Sequence, residues 1–375
     1  MAKTRICHLS SVHHYLDTRI FMKECRSLAS ADYETHFVVP EADEKIINGV
    51  HLHHVQKSKG GRLARMTKTV WNVYQKARSL DAKLYHFHDP ELIPIGLLLK
   101  LQGKKVIYDV HEDVPRQILS KYWIKKPLRK LISWVFEKFE NFSAKRFDAV
   151  VTATPYINER FKKLGCNTVN VSNYPILEEF LDNAIDWSTK ENAVCYVGGI
   201  TGVRGLFEMV DAMTQTNSRL YLAGKFFTED EHQRAKKMDG WKNVIELGQI
   251  DRKEVAQTLA KSKAGLVVLH PIENFIDSLP IKMFEYMAAG IPVIASNFPL
   301  WEEIVLKHHC GICVNPMNPN EIANAINWLL EHPEEAEGMG RKGRDAAIHE
   351  YNWNSERDKL IRVYEEILNR LLIAK

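Results

Sequence analysis

A chain of 375 residues is too long for one ordinary hydrophobic core and divides most simply into two domains. With 45% apolar and 26% charged residues, it has the balance of a soluble globular protein. A formal net charge of +4 is too small at this length to point to nucleic acid, and no basic tail, acidic block or low-complexity tract is present.

The N-terminus enters a strand directly and lacks the apolar core of a signal peptide. The apolar run Leu92 to Leu99 is interrupted by Pro94 and closed by Lys100, too short to span a bilayer. A cytoplasmic protein is therefore expected. Six cysteines are scattered along the chain, and Cys310-Gly-Ile-Cys313 is a lone C-x-x-C without a second pair. They read as reduced core thiols.

Strand patterns fall at Arg5–Leu9, His36–Val39, Val50–Val55, Leu84–His88, Lys105–Asp109, Ala149–Ala153 and Thr168–Ser172. Between them lie helical patterns near Thr18–Ser30, Leu63–Ser79, Leu92–Leu101, Pro127–Lys145 and Tyr156–Leu164. This alternation predicts a parallel sheet covered on both faces. The turn after the first strand, Ser10-Ser11-Val12-His13-His14, has no G-x-G-x-x-G, which argues against a nicotinamide dehydrogenase.

A break at Asn173-Tyr174-Pro175 and a polar bridge from Glu178 to Asn192 lead into a second series. Its strands are expected at Ala193–Val197, Leu220–Ala223, Val244–Leu247, Ala264–Leu269, Pro292–Ala295 and Gly311–Val314. Helices are expected near Gly205–Met213, Glu229–Met238, Lys253–Ser262, Pro280–Ala289, Leu300–Lys307, Asn320–Glu331 and Glu334–Glu350. The expected architecture is two Rossmann-like α/β domains, 1–173 and 174–354, with ligands at the carboxyl ends of the strands and a site in the cleft between them. A long amphipathic helix at about 355–375 is expected to pack back and complete the first domain.

The stretch Asp277 to Ser296, D-S-L-P-I-K-M-F-E-Y-M-A-A-G-I-P-V-I-A-S, carries most of the chemistry. It reads as a loop, a helix entered at Pro280, a stop at Gly290 and a buried strand. Lys282 and Glu285 share a helix face. A helix N-terminus favours anions, a neighbouring lysine adds a phosphate contact, and a deeper carboxylate can accept both hydroxyls of a ribose. The pattern suits a sugar nucleotide.

These residues resemble the donor half of a GT-B glycosyltransferase of the large retaining family 4, whose E-x7-E motif lies in a GLP-x-x-x-E-A-M-A-x-G-x-P-V-(I/V)-A-S signature. Asp277, Leu279, Pro280, Glu285, Met287, Ala288, Gly290, Pro292, Val293, Ala295 and Ser296 are in register, and Y-V-G-G-I-T-G-V-R-G at 196–205 and L-A-G-K at 222–225 extend the likeness. Two departures stand out: Asp277 replaces the first glutamate, and Gly199 replaces the phosphate-binding arginine while Arg204 replaces the lysine.

The resemblance implies a nucleoside diphosphate sugar donor, UDP- or GDP-linked, with no metal and no further cofactor. Stabilising the departing diphosphate is then the main electrostatic task. Arg204 can form a fork with phosphate oxygens, and Lys282 supplies the second cation unless it is simply exposed. Glu285 is expected to hold the ribose and Asp277 to face the transferred sugar. The peptide N–H groups of Ser278 and Leu279 are expected to point at the sugar or distal phosphate. Gly224 and Lys225, with Gly248 and Gln249, border the nucleobase, and Ile250 forms a lid over it.

In the first half, His86 and His88 share one side of a strand, with His88 expected on the acceptor side, and His111 matches the family's histidine near the anomeric centre. Glu112 and Asp113 either contact acceptor hydroxyls or cap the next helix. Asp17 caps the helix that follows it, and His13 and Arg19 face the acceptor or the diphosphate. Lys121 to Lys130 holds five basic residues and no acid, with Tyr122, Trp123 and Ile124 among them. The helix continues with Leu128, Leu131, Ile132, Val135, Phe136 and Phe139, much of which is expected to be core. Its basic start fits an anionic membrane surface.

The resulting expectation is a retaining, metal-independent hexosyl-type transferase acting on a hydroxyl of a saccharide or lipid-linked saccharide. Bacterial surface polysaccharide biosynthesis is the expected setting, whether O-antigen (lipopolysaccharide), capsule or exopolysaccharide. Two alternatives share the architecture: a nucleotide-sugar 2-epimerase, and a non-catalytic nucleotide-sugar-binding protein.

Overall fold

Near-continuous apolar strand segments such as Phe37-Val38-Val39 and Val106-Ile107-Tyr108 are buried throughout, as strands covered on both faces must be. A computed structural model describes residues 3–61, 64–121, 124–181 and 187–373. The chain forms two units, Met1–Asn173 with Asn354–Lys375, and Tyr174–Trp353.

The first unit holds an eight-stranded sheet of β1 (Arg5–Leu9), β2 (Glu34–Pro40), β3 (Lys45–Ile47), β4 (Val50–Val55), β5 (Leu84–Phe87), β6 (Lys105–Val110), β7 (Ala149–Thr152) and β8 (Thr168–Asn170). Their order is β3-β4-β2-β1-β5-β6-β7-β8. All pairs are parallel except β3 with β4. The unforeseen strand β3 exists because Asn48 (φ 49°) and Gly49 (φ 80°) make the left-handed two-residue turn that suits a hairpin. Strand order reverses between β1 and β5, so their carboxyl ends open a crevice of the kind that holds ligands.

The second unit is a six-stranded parallel sheet of β9 (Ala193–Val197), β10 (Arg219–Ala223), β11 (Val244–Gly248), β12 (Ala264–Val267), β13 (Val293–Ser296) and β14 (Gly311–Val314). Its order, β11-β10-β9-β12-β13-β14, is that of the doubly wound nucleotide-binding fold, with the reversal between β9 and β12. The core under the helix Ile281–Ala288 includes Met283, Phe284, Tyr286 and Met287, with Trp301 beside them.

The packing expected of one helix is overturned. The helix Lys126–Ala144 was expected to bury its apolar stripe, yet Leu128, Leu131, Trp134, Val135 and Phe142 are each at least half exposed. Polar groups are what face inward. Ser133 Oγ donates to the Pro115 carbonyl at 2.8 Å, and the buried Glu140 accepts from Tyr108 Oη at 2.9 Å and pairs with Arg160. Phe136 alone of the stripe packs against the core. Tyr122 and Trp123 lie outside the described residues. Among the described residues no helix is long and apolar enough to cross a membrane.

Candidate functional site

In the second unit the chain leaves β9 through Gly198 and Gly199, at the point where strand order reverses. Gly224, after β10, has φ +142°, and a Cβ there would stand 1.8 Å from the Gly198 carbonyl oxygen, so only glycine fits. Its N–H donates to the Gly248 carbonyl at 2.7 Å, tying the ends of β9, β10 and β11 together. Arg204 follows a short turn and donates from Nη1 to the Gly199 carbonyl at 3.3 Å. A side chain at Gly199 would meet Arg204 Nη1 at 2.8 Å and the Phe227 ring at 2.6 Å. The guanidinium thus fills space beside the glycine.

Lys282 comes to the same place from the first turn of the helix Ile281–Ala288. It is 8% exposed, which excludes the reading of a solvated surface lysine. Its Nζ lies 3.6 Å from the Tyr196 ring centroid and 3.0 Å from where a Cβ on Gly198 would be. No hydrogen-bond acceptor reaches that Nζ. Burial, and then the Arg204 charge, push its ammonium well below the usual lysine range, with Glu285 opposing them.

One turn on, Glu285 is 3% exposed, and its Oε1 accepts from Arg252 Nη2 at 2.7 Å. Arg252 also pairs with Glu179, so it bridges two carboxylates. Its position opens the helix Arg252–Lys261, which Asp251 and Glu254 cap reciprocally. Arg252 was not anticipated. The signal available was a basic residue directly behind the turn Gly248-Gln249-Ile250 at the end of a strand.

Asp277 is exposed and follows a short unforeseen helix, Glu273–Ile276, at the start of the expected loop. That helix corrects the role foreseen for Ser278. The Ser278 N–H donates to the Phe275 carbonyl at 3.1 Å, and Trp301 Nε1 donates to the Ser278 carbonyl at 2.7 Å. Its amide therefore closes a helix end instead of facing a ligand. Leu279 and Ile250 pack partly against the core, while Lys225 and Gln249 are exposed.

In the first unit, polar residues crowd the carboxyl ends of β1, β5 and β6. Asp109 is fully buried and Arg19 grips it with a fork, Nε to Oδ2 at 3.0 Å and Nη2 to Oδ1 at 2.8 Å. Arg19 Nη1 also donates to the Val171 carbonyl at 2.8 Å. Arg19, 4% exposed, is thereby committed to the interior and does not face an acceptor or a diphosphate. Burial would raise the Asp109 carboxyl, but Arg19 and then His111 hold it well below the usual carboxylate range. The neighbouring Glu24 is pushed the other way, by burial and then by the Asp109 charge.

Asp109 Oδ2 also lies 3.0 Å from His88 Nδ1 and 2.9 Å from His111 Nε2. His88 is fully buried and bonded to His8 and Asp109, so it does not face an acceptor as expected, whereas the His111 side chain is 18% exposed. His13 sits between Asp17 at 3.1 Å and Asp89 at 3.4 Å. Burial opposes its charge, yet these two carboxylates hold its imidazole up at about 10, so it is cationic at neutral pH. Asp17 Oδ1 accepts from the N–H groups of Arg19 and Ile20, each at 2.9 Å, which is the capping expected of it. Asp113 accepts from Arg116 N at 3.4 Å and begins the helix Val114–Ser120, and Glu112 is exposed beside Gln117.

Among the described residues, two groupings have the donor chemistry of a metal site, His8 with Glu24, His86 and His88, and His88 with Asp109 and His111, the ligand atoms of each within 4.8 Å of one another. In the structure most of these nitrogens are hydrogen-bonded instead, His8 Nδ1 to His88 Nε2 at 2.9 Å and His86 Nδ1 to Tyr364 Oη at 2.8 Å.

Comparison with known proteins adds the following. Residues 178–346 match the family model described as Glycosyl transferases group 1, and residues 19–172 match the one described as Glycosyltransferase Family 4. The chain is similar to the D-rhamnosyltransferase WbpZ of Pseudomonas aeruginosa, with 22% identity over 340 residues covering 86% of this chain and 84% of the relative. Its fold is similar to that of sucrose-phosphate synthase from Thermosynechococcus elongatus, with a TM-score of 0.79 and 18% identity, covering 98% of this chain and all (100%) of the other. Anabaena HepE in complex with UDP and glucose is also similar, with a TM-score of 0.72 and 14% identity over 97% of this chain and 100% of the other.

Proposed function

Since the chain belongs to glycosyltransferase family 4 and has the GT-B fold, we propose that it transfers a sugar, with retention, from a nucleoside diphosphate to a hydroxyl of a saccharide or lipid-linked saccharide. The observation that carries this reading is the convergence of Lys282 and Arg204 on the Gly198–Gly199 turn, with a buried ammonium that has no acceptor. A diphosphate supplies such acceptors. In the reaction the bond from the anomeric carbon to the diphosphate oxygen breaks, the diphosphate takes the electron pair, and the acceptor oxygen bonds to that carbon. The acceptor's proton leaves with the diphosphate. Lys282 and Arg204 stabilise the charge that develops on the leaving group, Glu285 in its pair with Arg252 receives the ribose, and Asp277 faces the sugar.

The likeness to a D-rhamnosyltransferase favours a 6-deoxyhexose or a related hexose as the transferred sugar. A thermal-shift panel of GDP, UDP and their sugars identifies the nucleotide by the rise in melting temperature. Transfer with the donor so found is then followed by NMR of the product, whose anomeric configuration reports retention. Lys282→Ala should lower turnover roughly 100-fold or more. Near-normal turnover in that variant rejects the assignment of Lys282.

The helix Lys126–Ala144 supports a peripheral site on an anionic membrane at the cytoplasmic face. Its exposed Leu128, Leu131, Trp134, Val135 and Phe142 lie among exposed Lys125, Lys126, Lys130 and Lys138. Sedimentation with vesicles should show binding that grows with the anionic lipid fraction. Equal binding to neutral vesicles, or none to either, rejects it.

A further inference from the structure

In the interior of the first unit three imidazoles meet one carboxylate. A strand sends alternate side chains to the same face, so His86 of β5 and His88 just beyond its end lie on one side. His8 of β1 is the residue paired with His86 across the sheet. Glu24 reaches the same point from the helical segment Ile20–Cys25. Its backbone is wound wide there, the Glu24 N–H donating to the Arg19 carbonyl five residues back at 3.0 Å, a turn found mostly at functional sites. All four side chains are fully buried.

Their spacing is close to that of a coordination shell. Glu24 Oε2 lies 3.9 Å from His8 Nδ1, 3.9 Å from His86 Nδ1 and 4.0 Å from His88 Nε2. His8 Nδ1 is 2.9 Å from His88 Nε2. Donors held about 2.0–2.1 Å from a tetrahedral zinc ion stand about 3.3–3.4 Å from one another, so shifts of less than about 1 Å close this cage. The carboxylate is what calls for a cation. Among the described residues no hydrogen-bond donor reaches either Glu24 oxygen, nor does any partner reach His86 Nε2. Arg19 Nε stands 3.2 Å from Oε1, but that guanidinium directs its hydrogen bonds to Asp109 and the Val171 carbonyl. A buried carboxylate without donors is costly, and a divalent ion removes that cost. The outer partners are those of metal-bound imidazoles as well. His88 Nδ1 lies 3.0 Å from Asp109 Oδ2 and His8 Nε2 lies 3.0 Å from Tyr364 Oη, contacts that orient each ring with its other nitrogen toward the centre. Coordination displaces one bond, that of His86 Nδ1 with Tyr364 Oη at 2.8 Å.

We propose that His8, Glu24, His86 and His88 bind one zinc ion as a structural site of the first unit. Four protein donors leave no open position on the metal, and complete burial keeps a substrate from it, which is the arrangement of a structural site and not of a catalytic one. The ion ties β1 and β5 to the segment Ile20–Cys25 and, through Tyr364 behind His8, to the C-terminal helix. The inference does not depend on the transferase reading.

Metal analysis of the full-length protein, purified without a histidine tag from cells grown with zinc, should give about one zinc ion per chain. X-ray absorption at the zinc edge should show four nitrogen and oxygen donors at about 2.0–2.1 Å. After unfolding in urea with EDTA, refolding with added Zn2+ should raise the melting temperature by about 10 °C over refolding without it. Glu24→Gln keeps the shape of the side chain and removes its charge, and should weaken zinc binding by about 100-fold or more. His36 and His53 stack at 5.0 Å nearer the surface, beside Glu34 and Glu44, and His53→Gln is the control for zinc held there. It should leave the zinc content unchanged. Traces of zinc with no rise in melting temperature overturn the proposal, as does zinc lost in His53→Gln and kept in Glu24→Gln. If Glu24→Gln does not fold, the wild-type absorption spectrum decides, since a sulfur ligand or a six-coordinate oxygen shell overturns the assignment equally.

Discussion

Two buried cations behave oppositely because one is satisfied and the other is not. Arg19 has a bidentate carboxylate and a carbonyl, so Arg19→Ala would strand a buried Asp109 and should cost about 3–5 kcal/mol in urea unfolding. Lys282 has an aromatic face and no acceptor. Lys282→Met should leave the free protein equally or more stable, by about 1 kcal/mol. The sign of the pH effect follows. The folded ammonium is held well below the usual lysine range, so the unfolded chain binds the proton more readily, and this site's contribution to stability improves as pH rises toward ordinary lysine values. A diphosphate placed against Nζ would reverse the bias by favouring the charged form. Nucleotide binding should then take up a proton and weaken as pH rises between the lowered value of the free protein and the ordinary lysine value. Calorimetry in two buffers of different ionisation enthalpy measures this uptake directly. A binding enthalpy independent of the buffer would count against Lys282 as a phosphate ligand.

At the level of elements, most strands were legible because their apolar runs are short, β-branched and bounded by turns, and the helices because their periods are long. The helix Lys126–Ala144 shows what periodicity leaves open. Its pattern reveals which face is apolar, but not which face turns inward, and here Ser133, Glu140 and Ser143 are the buried ones. Glu140→Ala should therefore destabilise by about 1–3 kcal/mol, since it strands the Tyr108 hydroxyl and takes one carboxylate from Arg160, which keeps Asp113 and Asn141. Leu131→Ser and Trp134→Ser should stay within about 0.5 kcal/mol of the wild type while weakening vesicle binding. The Asn48-Gly49 hairpin carries its own local signal, a dipeptide suited to a left-handed two-residue turn. Arg252 and Asp109 were not legible, because a charge buried by a partner dozens of residues away leaves no local pattern. Lys282, Glu285, Gly199 and Arg204 stood out by motif spacing, and the structure adds that the two cations share one glycine turn and that Glu285 comes with an arginine of its own.

On the scale of the whole molecule, both sheets reverse their strand order once, and candidate site residues of each unit gather at that reversal, Ser10, Asp89 and His88 in one and the Gly198–Gly199 turn with Arg204 and Lys282 in the other. The units differ in how the chain completes them. Residues 174–353 are contiguous, with a six-stranded sheet and a core of their own. The first unit needs the helix Trp353–Ile373 from the far end of the sequence. Tyr364 bridges His86 and His8 from that helix, and Glu356 Oε2 accepts from the buried Ser172 N–H at 2.8 Å. Without it, two buried imidazoles and a backbone N–H lose their partners, each at about 1–3 kcal/mol, and the apolar contacts of Leu360, Val363 and Ile367 go as well. A fragment of residues 174–353 should therefore unfold cooperatively by circular dichroism on its own. A fragment of residues 1–173 should not, and should gain a cooperative transition when a peptide of residues 354–375 is added. If 1–173 alone matched the urea midpoint of the intact protein, the C-terminal helix would be dispensable, and the hydrogen bonds to Tyr364 and Glu356 would carry none of the first unit's stability.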